Sequence, residues 1–105
     1  MINTRVGFGY NMHKLVEGSY IMLGGIRIDS NHTVVAHSDG DIVLHSLSDA
    51  IYGSLAAGDI GTHFPSNKEN INIQSVKILK HACELITRSN YCLLYTSDAA
   101  DDNTC

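Results

Sequence analysis

The sequence predicts an α+β domain, and three observations carry that expectation. Val6, Phe8 and Tyr10 alternate with Gly7, Gly9 and Asn11 at strand period, and the short runs Tyr20–Leu23 and Ile26–Ile28 flank a Gly24-Gly25 pair. Two later stretches, 41–57 and 73–87, repeat apolar residues at helical spacing instead, and strands followed by helices are the pattern of an α+β chain. With 105 residues there is room for one domain and one modest core, so a large cleft calls for help from another subunit.

Taken in order, the first run reads as a strand whose glycines let a second backbone or a ligand come close, and it leads into His13. Gly24-Gly25 can supply the positive φ angles of a tight hairpin turn. Ser38 stands three residues before Asp41, the spacing of a capping box, so a helix is expected to begin there. Val43, Leu44, Leu47, Ala50, Ile51, Ser54 and Leu55 then form its apolar stripe, with Gly58 as the left-handed exit. On the face opposite that stripe, Asp41, His45 and Asp49 recur every four residues.

A loop holding the only proline follows, from Asp59 to Ser66, and with the polar segment after it this loop is a candidate for substrate contact. His63 within it reads equally as an exposed loop residue or a ligand contact. From Ile73 to Thr87 a second helix is predicted by Val76, Leu79, Ala82, Cys83 and Ile86, with His81 on its solvated face beside Lys77, Lys80 and Glu84. After Tyr91 neither period is sustained. Residues 1–91 are therefore expected to form the domain, truncated at its end, and residues 92–105 an unrelated or disordered tail.

The formal charge is −4, but residues 92–105 hold three acids and no base, leaving eight acids against seven bases in residues 1–91. The bases form no cluster, which argues against nucleic acid as a partner. Three cysteines, Cys83, Cys92 and Cys105, show no C-x-x-C spacing, so no disulfide framework is expected. No apolar run approaches the ~18 residues of a membrane span and no signal region follows Met1, so no membrane partner is expected either.

An imidazole flanked by carboxylates on one helix face is an arrangement for metal binding or base chemistry more than for packing. Only one ring nitrogen of a ligating His45 stays free for a carboxylate, so Asp41 is the expected partner that orients it, with Asp49 as the alternative. Catalytic zinc takes three protein ligands and keeps an open position. His13 and His45 offer two, and Asn11, two residues before His13 on the same strand face, stands where the third belongs.

Gly7-Phe8-Gly9-Tyr10-Asn11-Met12-His13, Leu23-Gly24-Gly25-Ile26-Arg27-Ile28, His37-Ser38-Asp39-Gly40-Asp41 with His45, and Gly58-Asp59-Ile60-Gly61 with Phe64-Pro65 occur in this order. Together they resemble the 2-C-methyl-D-erythritol 2,4-cyclodiphosphate synthases, from about Arg5 to Tyr91. The resemblance implies a two-layer sandwich, a mixed sheet with helices on one face, incomplete at the C-terminus. It also implies a homotrimer with sites between subunits, cytoplasmic in a bacterium or plastidic in a plastid-bearing eukaryote.

The implied reaction is that of a phosphorus–oxygen lyase in the non-mevalonate route to isoprenoids. The implied substrate is a small nucleotide–sugar-alcohol, 4-diphosphocytidyl-2-C-methyl-D-erythritol 2-phosphate, cyclised with release of CMP. By the same resemblance His13 and His45 are zinc ligands, with Asn11 at the position of the family's aspartate, and a second divalent ion, Mg or Mn, accompanies the diphosphate. His37 is the catalytic group that stabilises transition-state charge. Asn11, Met12, His13, His37 and Ser38 line the phosphate end, and Asp59, Ile60, Gly61, Phe64, Pro65 and Ser66 the erythritol side.

Three departures accompany the likeness: Asn11 itself, Ser66-Asn67-Lys68 where the family has acidic residues, and the absence after Tyr91 of a nucleotide-binding loop and a Thr-Thr-Glu segment. A second expectation follows from them, a catalytically dead fragment with weak metal binding and an interaction role through an exposed sheet edge. A generic zinc hydrolase is disfavoured, since no H-E-x-x-H motif is present.

Overall fold

The computed structural model describes residues 4–36, 38–65 and 74–93. Gly24 and Gly25, at φ of 63° and 82°, make the expected turn. They join β2 (Tyr20–Leu23) to β3 (Ile26–Asp29), an antiparallel pair in which Leu23 faces Ile26 and Tyr20 faces Asp29. The hairpin is longer than its sequence signal. β1 (Leu15–Glu17) pairs with β4 (His32–Val34) in the same register; bonds from Gly18 N to Asn31 O and from Ser30 N to Ser19 O join the two ladders, and one from Val35 N to Lys14 O extends the outer pair. Among the described residues the strands form these two antiparallel ladders, with no parallel pair of the expected mixed sheet.

Helices α1 (Ile42–Ser54) and α3 (Ser75–Arg88) pack together, and the core between them is Ile51, Tyr52, Ile78, Ala82 and Ile86. The α+β class stands. The buried faces, however, are turned from the expected stripes. Val43 and Val76 are exposed, whereas Leu44, His45, Ser48, Ile51 and Tyr52 of α1 and Ser75, Ile78, Ala82 and Ile86 of α3 are buried. The row of Asp41 and His45 therefore lies inside, with His45 against the start of α3 and Asp41 against the β2–β3 turn. Period alone could not show this, because polar residues enter a helix interface only where partners on the other element satisfy them.

Helix α1 is capped by Asp41, whose carboxylate accepts from Leu44 N, rather than by the expected Ser38. It closes at Leu55, with Ala56 at φ 53° taking the left-handed position assigned to Gly58. A one-turn helix, α2 (Ile60–His63), follows. No helix among the described residues is long and apolar enough to cross a membrane. Cys83 keeps a free thiol that burial pushes up in pKa, whereas Cys92 is disulfide-bonded.

Candidate functional site

The site begins with two glycines. Residues 4–13 form no strand; they run extended against α1, and a Cβ on Gly7 would stand 1.8 Å from Ala50 O and one on Gly9 1.7 Å from Ser46 O. Only glycine lets the backbone press so close. The alternation survives: Val6, Phe8, Tyr10 and Met12 point outward, while Asn11 and His13 are half-buried. Pinning Gly9 beside Ser46 delivers His13 next to His45, with the ring centroids 5.9 Å apart and edge to face.

Two buried polar atoms among the described residues have no hydrogen-bond partner, Asn11 Oδ1 and His13 Nε2. Both belong to the expected ligand set. His45 is itself buried, at 5% exposure, and its pKa is lowered, first by that burial and then by His13, against the opposing pull of Asp39, Asp41 and Asp49. A neutral imidazole is the form that offers a lone pair.

Neither carboxylate expected to orient His45 does so. Asp41 spends its oxygens on Gly24 N at 2.9 Å, Gly25 N at 2.6 Å and Leu44 N at 3.0 Å, clamping the hairpin turn to α1. Asp49 Oδ1 accepts from Ile60 N at 2.9 Å. The groups that do meet His45 Nε2 are Ser75 Oγ at 2.7 Å and Ser38 Oγ at 3.1 Å. Ser75 was missed in the sequence. Its one local signal is its place just ahead of a helical apolar run, a capping context that says nothing about a partner thirty residues back.

Asp59 caps α2 through Thr62, with bonds from Thr62 N at 2.9 Å and Thr62 Oγ1 at 3.0 Å. Asp59, Gly61 and Pro65 are exposed while Ile60 and Phe64 are half-buried, and the Asp49 bond ties this loop to the helix that carries His45. His63 stacks on Tyr52 with centroids 4.5 Å apart and bonds Ala57 O through Nε2 at 2.7 Å. His81, expected in solvent, is half-buried, and its Nδ1 lies 2.7 Å from Tyr52 Oη. Both histidines thus pack structurally around Tyr52. His37 and Ser66 lie outside the described residues.

The sequence profile of the YgbB family matches residues 4–98. The chain belongs to the YgbB family. A 2-C-methyl-D-erythritol 2,4-cyclodiphosphate synthase of Fusobacterium nucleatum is 49% identical over 88 residues, which cover 83% of this chain and 55% of the relative. The enzyme of that name from Pseudomonas paraeruginosa is 46% identical over 88 residues, 83% of this chain and 56% of its own length. The chain thus spans about half the length of the curated relatives it matches. A solved 2C-methyl-D-erythritol-2,4-cyclodiphosphate synthase in its CDP-bound form superposes with a TM-score of 0.79 at 36% identity, covering 86% of this chain and 61% of that one. The CDP complex of IspF from Plasmodium falciparum gives 0.66 at 42% identity, covering 82% and 52%.

For a YgbB chain the unpartnered Asn11 Oδ1 and His13 Nε2 are the test of whether a cation fits. Leaving a buried acceptor and a buried ring nitrogen unmet costs about 1–3 kcal/mol each, and a cation within reach of either atom would remove that cost. The donor set suits zinc through its two imidazoles, with a neutral amide oxygen as a weak third. No group of three or more His, Cys, Asp or Glu side chains is poised for a metal among the described residues.

Proposed function

We propose that this chain carries the metal- and erythritol-binding side of a 2-C-methyl-D-erythritol 2,4-cyclodiphosphate synthase. Family membership supports this, and one observation carries it: Asn11 Oδ1 and His13 Nε2 are buried and unpartnered, and the His13 ring lies edge to face with that of His45. In the proposed reaction the 2-phosphate oxygen of 4-diphosphocytidyl-2-C-methyl-D-erythritol 2-phosphate attacks the β-phosphorus. An eight-membered ring closes as the bond to the departing CMP breaks. Intramolecular phosphoryl transfer of this kind asks for positioning and charge neutralisation rather than a protein nucleophile.

His13, His45 and Asn11 would hold zinc, which when bound supplies positive charge at the β-phosphate; a second divalent ion, Mg or Mn, would accompany the diphosphate. Ser38, whose Oγ accepts from Gly40 N at 3.2 Å, keeps its own proton available for a phosphate oxygen. His37 is assigned the transition-state charge, and Met12 a contact at the phosphate end. Asp59, Ile60 and Gly61, with Phe64, Pro65 and Ser66, receive the erythritol portion. The assembly proposed is a homotrimer with sites between neighbouring subunits.

The test is release of CMP from this substrate by the chain supplied with zinc and magnesium, followed by phosphorus NMR, alongside calorimetric titration of zinc. Zinc uptake lost in His13→Ala and His45→Ala, together with a cyclic diphosphate product, is the expected result. Failure of the chain both to bind zinc and to release CMP would refute the proposal.

A further inference from the structure

Asp39 makes no hydrogen bond to His45 itself but bonds Ser75, which in turn contacts His45. Ser75 is fully buried at the start of α3, where Gln74 provides no side-chain cap. Its backbone N–H donates to Asp39 Oδ2 at 3.1 Å and its hydroxyl donates to Asp39 Oδ1. Asp39 Oδ1 also accepts from Asp41 N at 3.2 Å. The other contact of the Ser75 hydroxyl is His45 Nε2 at 2.7 Å.

Proton counting gives this chain of bonds one direction. An ionised carboxylate only accepts, and a hydroxyl has a single proton to donate. Asp39, already receiving two backbone N–H groups, takes the Ser75 proton, so Ser75 Oγ has only lone pairs left for His45. The shorter bond at Nε2 then requires the ring to donate, and Ser38 Oγ at 3.1 Å meets the same N–H as a second, longer acceptor. Neutral His45 must carry its proton on Nε2 and its lone pair on Nδ1.

We propose that Asp39 and Ser75 are positioning residues for His45, a carboxylate–serine–imidazole relay that fixes the rotation and tautomer of the ring so that Nδ1 is the nitrogen presented to the metal. The choice of a metal as recipient rests on the function proposed above; the tautomer does not. Ligating imidazoles commonly give their other N–H to a carboxylate. Here Asp41 and Asp49 are committed to backbone amides, and a serine from a different helix carries the same restraint. The relay also links the entrances of α1 and α3, so the docking of α3 and the aim of His45 are set together.

The deciding experiment is a long-range proton–nitrogen correlation spectrum of the metal-free chain at about pH 8, above the ordinary histidine range, with His45 assigned by its loss in His45→Ala. The expected pattern is the Nε2–H tautomer. Asp39→Asn, which sets an N–H donor where the relay needs an acceptor, should mix the tautomers, as should Ser75→Ala, and each should weaken zinc binding by roughly 10–100-fold. A mere packing role would lower stability and leave the tautomer as it was. The Nδ1–H pattern or a mixture in the unmodified chain overturns the relay, even where a variant fails to fold, and so does a Ser75→Ala spectrum with an unchanged tautomer. The expected tautomer in a chain that takes up no zinc supports the relay and refutes the metal reading instead.

Discussion

Replacing Asp41 with alanine removes one carboxylate that serves two elements. It caps α1 through Leu44 N and holds the hairpin turn through Gly24 N and Gly25 N, and it is fully buried. Loss of an N-cap costs about 1 kcal/mol. Each hydrogen bond to a charged acceptor is worth about 1.5–3 kcal/mol, and the low end applies to the glycines, whose exposed amides water can reach again. Together the loss is about 4 kcal/mol, several times that of an ordinary cap. Asp41→Asn separates the two roles. Asparagine caps as well as aspartate but turns an N–H donor toward one glycine amide, so a loss of about 2 kcal/mol is expected. Urea unfolding followed by circular dichroism reads both variants. A loss near 1 kcal/mol in Asp41→Ala would show that the hairpin clamp contributes nothing and would refute the reasoning.

Gly9→Ala should push residues 4–13 off α1, since its Cβ would overlap Ser46 O; a loss of about 1–3 kcal/mol and a parallel fall in zinc affinity are expected, read by unfolding and calorimetry. Asn11→Asp restores a charged oxygen to the ligand set and should raise zinc affinity by roughly 10–100-fold, whereas unchanged affinity would place Asn11 outside the site. Burial, then Asp49 and Cys83, push Tyr52 up to about 12 in pKa. The folded chain thus keeps this proton above the ordinary value near 10, and stability from Tyr52 is present below about pH 10 and lost as pH rises through about 12, worth roughly 3 kcal/mol. Tyr52→Phe should lose about 1 kcal/mol at neutral pH with the His81 bond and escape that alkaline decline. Equal alkaline losses in the two proteins would count against the assignment.

Local chemistry made several elements legible in the residues alone. Gly24-Gly25 can turn where few other pairs can, and the apolar spacing of 41–57 and 73–87 is a property of each segment by itself. The same holds for the ordered motifs that pointed to the family, and for His13 and His45 as a pair. What required the folded chain was the choice of partner. Gly7 and Gly9 announce a close approach but not that α1, rather than a neighbouring strand, makes it. Asp39, Asp41 and Asp49 are alike in sequence, within one turn or two of His45, yet one restrains Ser75, one clamps a hairpin and one holds Ile60. His81 looks like surface until α2 brings His63 and Phe64 against it. Periodicity tells which residues share a face, because that depends only on backbone geometry. Hydrogen-bond partners are settled by packing between segments 11 to 36 residues apart, where burial penalises every polar group left unmet.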